Sequence, residues 1–100
     1  MTTPFVDHLD ADARLVMLRL LDQAGPTLND SVLHEGLRRF GHTKLTRQDV
    51  RKHLDFLASR GGLTYEVNDV GTWVATITDH GRKVARGTAR MEGVARPGQE

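Results

Sequence analysis

Apolar and polar positions recur with a helical period through the middle of this chain, most clearly in residues 46–60. Apolar side chains there fall at i, i+4, i+7 and i+8, which places them in one stripe along a helix. The members of the stripe are Val50, Leu54, Leu57 and Ala58. Thr46 can cap the start of this helix, with Asp49 three residues on as a short variant of the capping box. Gly61 and Gly62 end it, because glycine enters the left-handed conformation without a Cβ clash.

A longer apolar helix is predicted near the start of the chain, over about residues 10–24. Asp10 or Asp12 can cap it, and it holds more apolar positions than a single stripe can take. Such a helix is buried on more than one side, so part of its surface needs cover from the last helix or from a second subunit. We assign that part to a dimer seam formed by Val16, Met17 and Leu20.

The next segment predicts a second helix and a turn. Gly25-Pro26 ends the first helix, Thr27-Leu28 can form a short extended piece, and Asn29 is a good N-cap for a helix over residues 30–40. Four apolar side chains of that helix are expected to face inward: Val32, Leu33, Leu37 and Phe40. A glycine-containing turn at 41–45 connects it to the helix at 46, which gives a helix-turn-helix.

After Gly62 the apolar period changes from 3.6 to 2. Residues 63–67 and 72–77 are rich in β-branched and aromatic side chains, and turn-forming residues separate them. This pattern predicts a β-hairpin. Thr78 then caps a short last helix that ends at about Gly87. Residues 10–87 are therefore expected to form one domain, between a loosely ordered arm at 1–9 and a flexible basic tail at 88–100.

Composition narrows the classes of protein. Among 100 residues, 38% are apolar, 5% are aromatic and none is cysteine, so the core is aliphatic and has neither disulfides nor thiolate metal sites. Neither a signal peptide nor a membrane-spanning run is evident, which predicts a cytoplasmic protein without a membrane partner. Five histidines form no H-x-x-x-H pair, and no nucleophile or phosphate-loop motif occurs. We therefore expect no enzyme activity, metal site, cofactor or small-molecule substrate.

Charge is distributed unevenly although the net charge is only +1. Residues 38–60 hold seven basic and two acidic groups, whereas residues 61–81 hold three acidic and no basic ones. Basic charge clustered on one element is typical of phosphate binding. A solvated charged face without a ligand gives the same pattern.

The basic cluster lies off the apolar stripe of the third helix, near its start. Arginine and glutamine read guanine and adenine edges by paired hydrogen bonds, so Arg47, Gln48 and Arg51 are the candidates for base contacts. The candidates for phosphate contacts are Lys52, Lys44, Arg38 and Arg39. Phe56 lies on the outward side of the same helix. Either the hairpin or a terminal segment covers it, or it belongs to a protein interface, and we include it with the dimer seam.

The segment from Val50 to Leu57, with His53-Leu54 in its middle and Gly62-Leu63 after it, resembles the V-x-x-H-L-x-x-L…G-L run of ArsR-like repressors, with one extra residue before the glycine. Residues 77–81 are similar to the L-T-x-x-G segment of many winged-helix proteins. The resemblance covers roughly residues 12–87. It implies an α+β winged helix-turn-helix with three helices, a two-stranded β-hairpin wing and a short C-terminal helix, and it implies DNA binding through positions 47, 48, 51 and 52.

The whole chain also resembles a family of small uncharacterised winged-helix proteins encoded by Mu-like bacteriophages and prophages. The segments that carry this likeness are the leucine-rich first helix, residues 29–33, Gly41-His42 and residues 93–97. Two departures from ArsR-like sensors matter. The cysteines that often bind metal in those proteins are missing, and the wing tip carries Glu66 and Asp69 where a DNA contact would need a cation.

The sequence therefore predicts a small DNA-binding winged-helix protein, a phage-type transcriptional regulator that acts as a homodimer and places the 47–60 helix in the major groove of double-stranded DNA. The alternative is a winged helix used as a protein-interaction or assembly module. An acidic wing tip, a net charge near zero and an over-apolar first helix are compatible with that second hypothesis.

Overall fold

The computed structural model describes residues 4–98. These residues form four helices and three strands. In chain order the elements are α1 (Pro4–Ala24), β1 (Thr27–Asn29), α2 (Asp30–Arg39), α3 (Arg47–Ser59), β2 (Leu63–Val67), β3 (Trp73–Ile77) and α4 (Asp79–Arg86). The predicted α+β class is confirmed, and so is the N-cap of α2, where the Asn29 side chain accepts a hydrogen bond from Val32 N at 2.8 Å.

The three strands form one antiparallel sheet in the order β1-β3-β2. The sequence predicted only the β2–β3 hairpin, with the extended piece at Thr27-Leu28 left outside it. In the structure Leu28 lies opposite Ala75, and Asn29 lies opposite Val74. A three-residue strand carries no local signal for its partner, because its pairing depends on where the distant hairpin lies.

Helix α1 runs through the centre of the core. Leu15, Met17, Leu18 and Leu21 are fully buried within the single chain, so the prediction that Met17 lies at a dimer seam is wrong. Helix α4 packs along α1 and supplies the missing cover. The two helices are also joined by Asp22, which accepts hydrogen bonds from Arg86 at 2.9 and 3.0 Å and from Arg82 at 3.2 Å.

Both predicted termini need correction. Residues 4–9 are the first turns of α1 and not a loosely ordered arm. Proline is favoured at the first position of a helix, because its fixed φ suits it and its missing N–H is not needed there. The large apolar side chains of these turns, Phe5 and Leu9, stay exposed, so no buried stripe in the sequence marked the turns as helical. Residues 1–3 lie outside the described part of the chain.

The predicted flexible tail is also ordered over residues 88–98, while 99–100 lie outside the described residues. Met91 and Val94 are buried in the core, and Ala95 N donates to Ala11 O at 3.0 Å. The segment has no helical or strand periodicity, and therefore the sequence pattern did not reveal these contacts.

Two apolar side chains that were predicted to face inward are exposed to solvent, Val32 on α2 and Phe40 just after it. Val32 is 48% exposed and Phe40 is 64% exposed, whereas Leu33 and Leu37 are fully buried. The helix is only 10 residues long. Its core contact is limited to a narrow i, i+4 stripe, and positions next to that stripe turn outward.

Candidate nucleic-acid interface

The start of α3 is fixed by the predicted capping box. The Thr46 hydroxyl accepts a hydrogen bond from Asp49 N at 3.1 Å, and Thr46 N donates to the Asp49 carboxylate at 2.9 Å. The bond from the Thr46 backbone is also the largest reason that the pKa of Asp49 lies below its usual value. The reciprocal bonds satisfy two of the helix-terminal N–H groups, so the positions that follow are held in a defined orientation.

The two faces of α3 have different surroundings. Val50, His53, Leu54 and Leu57 are buried. Arg47, Gln48 and Lys52 are exposed, as is Lys44 in the preceding loop.

Three of the exposed side chains, Lys44, Arg47 and Gln48, have neither a hydrogen bond nor an ion pair within the described residues. Lys52 lies close enough to Asp49 to contribute to the lowered pKa of that carboxyl. Four predicted site residues are thus exposed in the N-terminal half of α3 or in the loop before it.

Arg51 is engaged differently from its predicted role in base recognition. Its Nε donates to Asp30 Oδ2 at 2.9 Å, and Nη2 donates to the Gly71 carbonyl at 3.1 Å. Its guanidinium carbon lies 5.6 Å from the centre of the Trp73 ring. Asp30 is only 1% exposed. Arg51 therefore fastens α3 to the start of α2 and to the hairpin, and we remove it from the set of base contacts.

Arg38 and Arg39 lie in the last turn of α2, where cations also interact favourably with the helix dipole. Both face Glu35, with Arg39 Nε 3.4 Å from one carboxylate oxygen and Arg38 Nε 4.0 Å from the other. All three side chains are more than half exposed. Exposed ion pairs of this kind are worth little, so both guanidinium groups remain able to exchange Glu35 for a phosphate.

The β2–β3 hairpin ends in a tip that is acidic and apolar. Asn68 Oδ1 accepts from Val70 N at 3.1 Å and Thr72 N at 3.0 Å, which holds the turn. Val70 is 84% exposed beside Asp69, which is also exposed. Residues 63–77 contain no lysine or arginine, so this tip offers no positive charge to a phosphate group.

Phe56, predicted as an interface residue, is covered by its own chain. The guanidinium carbon of Arg14 lies 3.7 Å from the centre of its ring, and that of Arg60 lies 3.8 Å from it. A Cβ added at Gly93 would come within 2.4 Å of the Phe56 ring, so the C-terminal segment lies directly against it. Of the alternatives that the sequence left open, cover by a terminal segment is the correct one.

Arg14 is a contact residue that the sequence analysis missed. Its Nη1 donates to Gly93 O at 2.9 Å, and its Nε donates to His53 Nδ1 at 3.1 Å. Burial lowers the pKa of His53, and the nearby Arg14 charge lowers it further. The only sequence signal for this role is that Arg14 is a charged residue in the most apolar helix. Such a residue needs a hydrogen-bonding partner, but the sequence does not show which residue that is.

No helix within residues 4–98 has both the length and the apolar character needed to cross a bilayer. The same residues contain no group of three or more histidine, cysteine, aspartate or glutamate side chains arranged to hold a metal ion.

Two known proteins are similar to this chain over most of its length. One is an uncharacterized protein, gp26, of Escherichia phage Mu, which is 42% identical over 91 residues, covering 91% of this chain and 93% of the phage protein. The other is an uncharacterized protein of Haemophilus influenzae, 42% identical over 74 residues, covering 74% of this chain and 72% of that protein. No protein-family model matches the chain. No solved structure matches it either.

Proposed function

The chain belongs to the family of small proteins that includes gp26 of Escherichia phage Mu, and we propose that it is a DNA-binding protein of the winged helix-turn-helix type, a phage-type transcriptional regulator. The order α1-β1-α2-α3-β2-β3-α4 supports this classification. In it, α2 and α3 form the helix-turn-helix, and the β2–β3 hairpin is the wing.

The observation that carries this proposal is the open N-terminal half of α3. Arg47 and Gln48 are exposed in its first turn and have no partner among residues 4–98. The N-terminal residues of a recognition helix are those that contact base edges in the major groove. Both side chains can form paired hydrogen bonds with purines. We therefore assign base contacts to Arg47 and Gln48.

We assign the phosphate contacts to the basic side chains around the first turn of α3. Lys52 lies one turn further along α3, Lys44 lies in the loop before it, and Arg38 and Arg39 end the preceding helix. Contacts of this kind position the protein on DNA and carry no sequence information directly. The acidic wing tip stays away from phosphate, and Arg51 holds that wing against α3 by its bond to the Gly71 carbonyl.

Binding to short duplexes, followed by fluorescence anisotropy at several salt concentrations, tests this function. Duplexes selected from a random pool supply the specific ligand. The logarithm of the binding constant should fall with the logarithm of the salt concentration by about 0.9 per phosphate contact. Gln48→Ala should reduce the preference for the selected duplex over random DNA.

Lys44→Ala should weaken binding to the selected and the random duplex alike. Lys83→Ala, at an exposed lysine in the last turn of α4, is the matched control and should leave both affinities unchanged. Absence of binding at low salt and micromolar protein would remove the DNA hypothesis.

The second candidate is a winged helix that binds protein. Its specific support is the wing tip, where Val67 and Val70 are exposed next to acidic side chains. An exposed apolar group among carboxylates suits a basic protein surface better than a nucleic acid. The duplex titration separates the two candidates, because a protein-binding module would leave the fluorescence anisotropy of the duplex unchanged.

A further inference from the structure

One surface of the molecule is largely apolar and open, and of the proposed DNA contacts only Arg39 lies at its edge. It lies between α1 and α2, and we call it the α1–α2 face. Its apolar members are Val16, Leu20, Leu28, Val32 and Phe40, and Arg19 and Gln23 border it beside Phe40. Val32 on α2 and Phe40, the C-cap of that helix, stand at either end of the face. They are eight positions apart, which is about 12 Å along a helix axis.

Gly36 gives this face its shape. A Cβ at that position would lie 2.6 Å from Leu20 Cδ1, so the absence of a side chain forms a notch in α2 that Leu20 fills. Leu20 thereby becomes the floor between two shallow clefts. Each has a volume of about 260 Å³, one bordered by Val16 and Phe40 and the other by Leu28 and Val32.

The charged residues at the edge of the α1–α2 face indicate which kind of partner could bind there. Glu35 and Arg39 lie one helical turn apart beside the second cleft, with opposite signs. If a second α2 crosses this one in the antiparallel direction, Glu35 of each copy meets Arg39 of the other. Val32 of each copy then meets Phe40 of the other across the Leu20 floor. A surface that is complementary to itself in this way suits a two-fold dimer, in which the same patch is used by both subunits.

We propose that a second copy of this chain docks on the α1–α2 face, with the two α2 helices antiparallel. The homodimer predicted from the sequence is kept, but its interface is reassigned from the predicted seam to the α1–α2 face. Met17 is excluded because it is fully buried, and Phe56 because its own chain covers it. Leu20 remains, with the 9% exposed edge of Val16. This assignment does not depend on DNA binding, because it is tested on the protein alone.

Sedimentation equilibrium of the full chain tests the apolar part of this face. Wild type should be dimeric at tens of micromolar, and Phe40→Ser should raise the dimer dissociation constant at least about tenfold, as expected for an aromatic anchor in a cleft. Val70→Ser, at the 84% exposed wing tip, is the matched control and should leave the constant unchanged. A monomeric wild type, or a dimer that survives Phe40→Ser, would overturn the assignment.

Charge reversal tests the antiparallel arrangement and does not require removing an apolar group. Arg39→Glu makes the charged pair beside the second cleft acidic at both positions, and Glu35→Arg makes it basic at both, so each variant should be monomeric by itself. A mixture of the two should form heterodimers, because every contact between positions 35 and 39 then joins opposite charges. If neither variant alone is weakened, or if mixing restores nothing, the second copy does not lie in this register. Because Arg39 is also a proposed phosphate contact, DNA affinity is compared between wild type and Phe40→Ser, so that a failure of either proposal is recognised without the other.

Discussion

At the scale of single residues, the contact that most changes the interpretation is the pair of Arg51 with Asp30. Removing one partner of a buried ion pair leaves the other charge unpaired and typically costs several kcal/mol. Arg51→Ala should therefore lower the free energy of unfolding by about 3 kcal/mol. Urea denaturation followed by circular dichroism measures this loss.

Arg47→Ala provides the comparison for that experiment, because Arg47 is exposed on the same helix and has no partner in residues 4–98. It should change the unfolding free energy by less than about 0.5 kcal/mol. Equal stabilities for the two variants would mean that the Asp30 contact is not formed in solution. The consequence for function is direct, since weaker DNA binding by Arg51→Ala would reflect a displaced wing and not a lost base contact.

His53 gives the molecule a dependence on pH. It is 6% exposed, and its Nδ1 can accept from Arg14 only while the ring is neutral. Burial first, and Arg14 second, lower its pKa below the ordinary value of 6.5, although Asp10 and Asp49 oppose the shift. The unfolded chain therefore takes up a proton at a higher pH than the folded chain does. The contribution of His53 to stability is present above pH 6.5 and is lost as the pH falls toward the folded pKa.

His53→Asn tests this, because asparagine keeps an acceptor toward Arg14 and does not titrate. The unfolding free energy of wild type minus that of the variant should shrink as the pH is lowered from 7 to 5. Denaturant titrations at a series of pH values measure it, and the other four histidines cancel in the difference. A difference that stays constant over this range would show that His53 does not change protonation between the folded and unfolded states in that window.

At the scale of elements, the clearest local device is the capping box of α3. Thr46→Ala removes the acceptor for Asp49 N and should cost about 1 kcal/mol. Thermal denaturation measures the cost, and hydrogen exchange should be faster in the first turn of α3. Thr43→Ala, at an exposed loop threonine, is the control and should be neutral. Unchanged exchange in the Thr46 variant would contradict the role of the cap.

The elements that could be predicted are those with signals inside the element. Asn29 and Thr46 are caps that act within three residues, and the change from helical to alternating periodicity located the hairpin. Strand β1 could not be assigned to a sheet, because its partner Thr76 lies far along the chain. For the site, periodicity placed Arg47 and Gln48 outward correctly. It also placed Arg51 outward, but it could not show that the buried Asp30 carboxylate lies within reach.

At the scale of the whole molecule, the C-terminal segment decides how much of the chain is one folded unit. Met91 is buried in the core, and a Cβ at Gly62 would come within 3.1 Å of its methyl group. Truncating a buried methionine removes apolar contacts and leaves a cavity, so Met91→Ala should lower the unfolding free energy by about 2–3 kcal/mol. Glu92→Ala, at the exposed neighbouring position, should be neutral, and urea denaturation compares the two. Had residues 88–98 been the flexible tail that Gly93, Pro97 and Gly98 suggested, both substitutions would leave stability unchanged. A loss confined to Met91→Ala would show instead that this segment is part of the folded unit and adds to the cover that α4 gives to α1.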